Sequence, residues 1–165
     1  VEYSSNNTNN NIIIVSFRSS KKVSLAMRQD IHRLIKHAKD HNLKVVVIGQ
    51  GPEFSSTSVQ ACHPYWFRPA HRVGDCTINI PYVEMRNNFS LINSFYSELD
   101  TSYDNVHFFD RLEYFCSSSS KVCSNKAEDY YIIGDTNHLT IEASQYLSVH
   151  FWSFLENKNL IDKFP

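Results

Sequence analysis

The sequence has no surplus of charge of either sign: 16 lysines plus arginines stand against 17 aspartates plus glutamates, and no like-charged block runs past a pair such as Lys21-Lys22. A polyanion would find no electrostatic footprint, which argues against nucleic acid as a partner. Long apolar runs are missing too. The longest, Ile12 to Phe17 and Leu43 to Ile48, fall far short of the ~20 residues that cross a bilayer, so a soluble segment is expected. Val1 to Asn11 has neither a basic n-region nor an apolar h-region. No signal peptide is expected there, and if the protein is exported its signal or anchor lies upstream. The cysteines lack CxxC-like spacing with a second ligand pair, and His37 and His41 have no third ligand nearby in the sequence. Metal binding is therefore not expected. No internal repeat is visible.

What is present suits one globular domain. The 165 residues are 42% hydrophobic and 13% aromatic, and a domain of this size buries about two-thirds of its unfolded surface. Residues 1–11 read as a polar loop that ends in Asn9, Asn10 and Asn11, and residues 12–165 as the domain itself. Ile12-Ile13-Ile14-Val15-Ser16-Phe17 is a β-branched run without alternation, as in a strand buried on both faces. Val23, Met27, Ile31, Leu34, Ile35 and Ala38 follow at helical spacing, with Arg28, Arg33, Lys36 and Lys39 on the other side. Leu43 to Ile48 is a second buried strand, so residues 11–48 form a β-α-β unit with a right-handed crossover.

The loop from Gly49 to Phe54 then falls at the carboxyl end of a parallel strand, where open α/β sheets place their ligands. Residues 55–80 read as a long excursion with Pro64, Pro69 and the aromatics Tyr65, Trp66 and Phe67. These rings could stack on a sugar or form a minor core. One helix is expected from about Val83 to Leu99 and a third strand over Val106 to Phe109. Cys116 to Lys126 reads as a serine-rich loop and Tyr130 to Ile133 as a short apolar run. Thr140 can N-cap a last helix running to about Leu155, with Phe151, Trp152, Phe154 and Leu155 spaced as core. His32 reads as surface and His150 as structural.

The four cysteines form two local pairs, Cys62 with Cys76 and Cys116 with Cys123. Disulfides or free buried thiols both fit; the disulfide reading implies an oxidising compartment.

Asp135 and His138 lie in Gly134-Asp135-Thr136-Asn137-His138-Leu139, between the apolar run and the helix cap. A histidine acts as general base when a carboxylate fixes its tautomer and stabilises the imidazolium, with a serine as nucleophile. The spacing is weak evidence alone, because an Asp and a His three apart on a loop commonly cap and face solvent.

Context adds to it. Val46 to Phe54, Cys62, Phe109-Asp110, Phe115-Cys116, Cys123, Tyr131 and Asp135-Thr136-Asn137-His138-Leu139-Thr140 together resemble the C-terminal SGNH domain of membrane acyltransferase-3 proteins, over about residues 11–155. Those proteins O-acylate surface polysaccharides such as O-antigen. The resemblance implies an SGNH-hydrolase-like three-layer α/β/α sandwich with a mainly parallel sheet, incomplete at its N-terminus. It also implies that Asp135 and His138 are the acid and base of a Ser-His-Asp triad. The expected function is O-acyl transfer, with acetyl as the expected group, or ester hydrolysis on a polysaccharide hydroxyl, with no cofactor. The implied partners are a carbohydrate acceptor, an acyl donor and a membrane-embedded acyltransferase domain of the same protein. The implied location is periplasmic or extracytoplasmic, tethered through an upstream domain.

The chain departs from the family at its front. Nothing before Ile12 resembles the Gly-Asp-Ser block that carries the serine, and the near match Gly74-Asp75-Cys76 follows no buried strand. The nucleophile is therefore expected upstream, and the isolated chain is expected to be inactive. Where the family places an oxyanion-hole asparagine after a buried strand, this sequence has Arg18-Ser19-Ser20. Arg18 could bind an oxyanion or a substrate carboxylate, or simply face solvent at a strand end. The alternative to an enzyme is a carbohydrate-binding or scaffold module with a degenerate SGNH fold.

Overall fold

Both uninterrupted β-branched runs are strands of one parallel sheet in the computed structural model, which describes residues 11–16, 23–54, 76–117, 119, 121–127, 129–134 and 138–162. In chain order the elements are β1 (Ile12–Ser16), α1 (Leu25–Asp40), β2 (Lys44–Ile48), β3 (Asn79–Pro81), α2 (Tyr82–Asn88), α3 (Ser90–Ser102), β4 (Val106–Phe109), α4 (Leu112–Phe115), β5 (Cys116–Ser117), β6 (Val122–Ser124) and α5 (Ile141–Asn157). The parallel sheet has the order β1-β2-β4, with Ile13 opposite Val45 and Val46 opposite His107.

Alternate residues of a strand face opposite sides, and both sides of β2 are buried. Val45 and Val47 join Ile31, Ile35 and Ala38 of α1 and Ile92, Phe95, Tyr96 and Leu99 of α3 in one core. Val46 joins Phe109 and Leu155, with Ile48, Leu147, Phe151 and Phe154 packed against them, in a second. Helices thus flank both faces of a parallel sheet, the arrangement expected of an SGNH-hydrolase-like α/β fold.

The connections follow local chemistry. The Ser24 hydroxyl caps α1 by accepting from the Met27 N–H at 3.1 Å, worth about 1 kcal/mol. Beyond the helix, Asn42 takes the left-handed conformation at φ 55° and turns the chain into β2, a region asparagine tolerates better than most side chains.

Four expectations need correction. β1 is a strand but is not buried on both faces: none of its residues is fully buried, and Ile14 is 53% exposed. The helix expected over Val83 to Leu99 is two, broken at Phe89, whose backbone leaves the helix at φ −116°, ψ 8° and whose ring is buried. Met85 and Phe89 enter the same core as Ile92 to Leu99 on either side of the break. The stretch Cys116 to Lys126 is not a plain loop. It holds β5 and β6, which with β3 form an antiparallel sheet of order β3-β6-β5. Trp152 is 42% exposed, because α5 offers the sheet its Leu147, Phe151, Phe154 and Leu155 side instead.

Candidate active site

The segment bearing His138 is anchored from below by the small sheet. Cys116 and Cys123, direct cross-strand partners in β5 and β6, are joined by a disulfide. One residue past β6, the fully buried Asn125 accepts from the Ile78 N–H at 2.7 Å and donates to the Cys76 carbonyl at 3.1 Å. Its own carbonyl accepts from the Ile132 N–H at 2.8 Å. A buried amide satisfied on both its atoms fixes three chain segments at once.

From Ile132 the chain makes a closed turn. Ile133 and Leu139 form an antiparallel bridge, the Gly134 N–H donates to the His138 carbonyl at 2.8 Å, and the Thr140 N–H donates to the Ile132 carbonyl at 3.0 Å. The Thr140 hydroxyl donates to the Tyr131 carbonyl at 2.6 Å and accepts from the Ala143 N–H at 3.2 Å. One side chain therefore pins the turn and caps α5, the cap read in the sequence. His138 is held by its backbone while its side chain is exposed.

Leu139, the next residue, lines a cavity of about 240 Å³. Its other walls are Ser16, Ile48 and Phe109, which are the last residues of β1, β2 and β4, together with Arg111, Ser144, Leu147, Ser148 and Phe151. This is the carboxyl edge of the parallel sheet, where α/β folds bind ligands. The loop after β2 closes the edge. The Gly49 N–H donates to the Phe109 carbonyl at 2.8 Å, and its carbonyl accepts from Arg111 Nε at 2.6 Å. Position 49 needs glycine, since a Cβ there would lie 2.8 Å from the Phe108 ring. Beneath this loop Gln50 meets the Tyr96 hydroxyl, whose pKa burial pushes up to about 12, the Gln50 hydrogen bond and Arg111 opposing. Burial also lowers the Arg111 pKa, opposed by Tyr96.

The neighbouring carboxylates belong to another arginine. Asp110 and Glu113 both pair with Arg86, whose Nε also donates to the Tyr82 hydroxyl at 2.8 Å. Burial alone would lower the Arg86 pKa; the Tyr82 and Asp110 hydrogen bonds and both carboxylates outweigh it and raise it. On the sheet face covered by α5, His107 Nε2 is buried without a hydrogen-bond partner among the described residues. Burial lowers its pKa below 6.5, with Lys158 and Lys44 adding to the effect and Asp100 opposing it.

A second, larger groove of about 560 Å³ lies between the small sheet and α5. Its walls include Tyr114, Phe115, Tyr130 and Tyr146, with Lys126, Asp129 and Ser124 among them. Ile132 also lines it and hydrogen bonds, through its carbonyl, to Thr140, two residues after His138.

Of the residues singled out in the sequence, His138, Cys76, Cys116 and Cys123 are described, while Asp135, Arg18 and Cys62 lie outside the described residues, as do Tyr65, Trp66 and Phe67. Cys76 is disulfide-bonded, and no described cysteine is free. It therefore has no thiolate to offer as a nucleophile. His150 packs between the Tyr114 and Tyr146 rings, with centroids 4.8 and 4.5 Å away. Sequence reasoning missed Arg111 and Asn125. Arg111 had a faint signal in its place just past a strand end; Asn125, amid serines and lysines, had none.

The model of a protein family described as "SGNH domain (fused to AT3 domains)" matches residues 1–153. No curated protein matches the sequence. One similar solved structure is a protein from Streptococcus pneumonia provisionally described as a platelet activating factor, at 18% identity and a TM-score of 0.49 over 79% of this chain. The aligned region spans 50% of that protein's length.

Proposed function

Because the chain belongs to the family of SGNH domains fused to AT3 domains, we propose that it supplies the acid and base of an O-acyltransferase or esterase acting on a polysaccharide hydroxyl, with acetyl as the acyl group. A serine outside residues 1–165 attacks the acyl donor. His138 takes the serine's proton and gives it to the leaving group, whose bond to the acyl carbon breaks and leaves the serine acylated. It then takes the proton of the acceptor hydroxyl, or of water, as that oxygen attacks the acyl-serine, and returns the proton to the departing serine. Asp135 orients His138 throughout and stabilises its charged form. The observation that carries this reading is the position of His138: a closed turn holds it beside Leu139, which lines the cavity at the ends of β1, β2 and β4. Neither metal nor nucleotide has a part in this chemistry.

The aromatic groove supports a saccharide acceptor. Rings such as Tyr114 and Tyr146 suit sugar faces, and the ammonium of Lys126 and carboxylate of Asp129 complement hydroxyls, which both accept and donate. The domain works outside the cytoplasm, tethered through a membrane-embedded AT3 domain that hands over the acyl group. In keeping with a tethered domain, no helix among the described residues is long and apolar enough to cross a membrane.

The test is hydrolysis of p-nitrophenyl acetate by the full-length protein. His138→Ala should lower kcat by ~10³-fold or more, as expected for loss of a triad base. Turnover that survives the substitution would sink the assignment.

A further inference from the structure

Arg111 carries a positive charge for which the described residues supply no carboxylate. It is mostly buried, and its Nε donates to the Gly49 carbonyl at 2.6 Å. No carboxylate among the described residues pairs with it. Its neighbour Asp110 would be the natural partner, but that carboxylate is committed to Arg86 and to the Leu112 N–H at 3.0 Å, and Glu113 is committed to Arg86 as well. The two arginines thus divide sharply: one is saturated by two carboxylates and a tyrosine hydroxyl, while no described residue pairs with the terminal nitrogens of the other.

Burying a guanidinium without a counter-ion is costly. Here the group lines the 240 Å³ cavity whose other described walls are apolar side chains and serine hydroxyls. That volume is below the range usual for drug-sized ligands, so it admits a chain of a few carbons. An apolar wall with one cation at its margin selects a molecule with an alkyl tail and an anionic head, and the fork of terminal guanidinium nitrogens matches the two oxygens of a carboxylate.

We propose that this cavity is a binding site for a short-chain monocarboxylate, with the carboxylate on Arg111 and the alkyl chain against Phe109, Leu139 and Phe151. The site rests on the reading above only for its ligand's origin, since hydrolysis of an acyl ester beside His138 releases such an acid. Binding itself requires no catalysis.

The experiment is titration of the full-length protein with sodium propionate at constant ionic strength, followed by calorimetry or ligand-observed NMR, with 1-propanol as the neutral analogue. Propionate should bind saturably and at least tenfold more tightly than 1-propanol, and Arg111→Gln should weaken it at least tenfold. Equal affinity for acid and alcohol, or unchanged propionate binding in R111Q, would overturn the assignment. If R111Q fails to fold, the comparison of acid with alcohol on the unaltered protein decides. Turnover tests the triad and binding tests Arg111, so the two can fail independently.

Discussion

The two sheets of this domain are built on opposite principles. The parallel sheet is held by burial: β2 contributes Val45, Val46 and Val47, each 1% exposed or less, to cores on both its faces. The antiparallel sheet has strands of three residues or fewer and is held by points of attachment, the Cys116–Cys123 disulfide and the Asn125 amide. The first forms a platform whose carboxyl edge opens into a cavity. The second holds the turn that brings Leu139, the neighbour of His138, to that edge. Their difference shows where a local change stays local: the platform should withstand losses that release the clasp.

Asn125→Ala is the most severe way to break the contrast. It takes a hydrogen-bond partner from the half-buried Ile78 N–H and from the Cys76 carbonyl, and about 3 kcal/mol should be lost at ~1–3 kcal/mol per group. Hydrogen exchange should show lost protection over 78–80, 122–125, 132–134 and 138–140 while β2 amides stay protected. Equal loss in β2 would mean that the sheets are one cooperative unit.

Replacing both Cys116 and Cys123 by alanine should do less. The bridge closes a separation of 7 residues, for which the chain-entropy model gives about 2 kcal/mol. Urea unfolding of the variant should show a lower midpoint and, as before, intact β2 protection.

The smallest effect falls on the platform and depends on pH. Burial lowers the His107 pKa below 6.5 in the folded protein. Between the folded and unfolded pKa values the unfolded chain binds more protons, so stability rises with pH there. The contribution is present above the unfolded value and is lost as pH falls toward the folded one. Melting temperatures between pH 7.5 and 5 should fall less steeply in His107→Gln than in the unaltered protein; parallel curves would remove His107 from the account.

The same contrast explains what the sequence made legible. Ile12 to Ser16, the α1 periodicity, Val106 to Phe109 and the Thr140 cap were all readable as elements, because β-branched runs, helical periods and caps leave marks on adjacent residues; the burial of β1 was not, since Ile14 is exposed. β5 and β6 were not. Strands of two and three residues have no period to detect, and their stability comes from a disulfide and an amide acting across the chain. The break at Phe89 was hidden because Met85, Phe89, Ile92 and Phe95 fit one continuous helical stripe as well as two shorter ones. Arg111 could not be singled out while Asp110 beside it offered an obvious partner; that Arg86 takes this carboxylate is a fact of tertiary structure. Asp135 and His138 stood out through the block around them, and their roles rest on that block and on the position of the turn.

The most direct test of the central claim is a double-mutant cycle on the full-length protein, measuring p-nitrophenyl acetate turnover for Asp135→Asn, His138→Ala and the pair. Residues that act as one unit lose activity together, so each single change should cost ~10³-fold or more and the double change no more than the worse single one. Losses that multiply, or activity that persists without His138, would contradict a shared acid–base role.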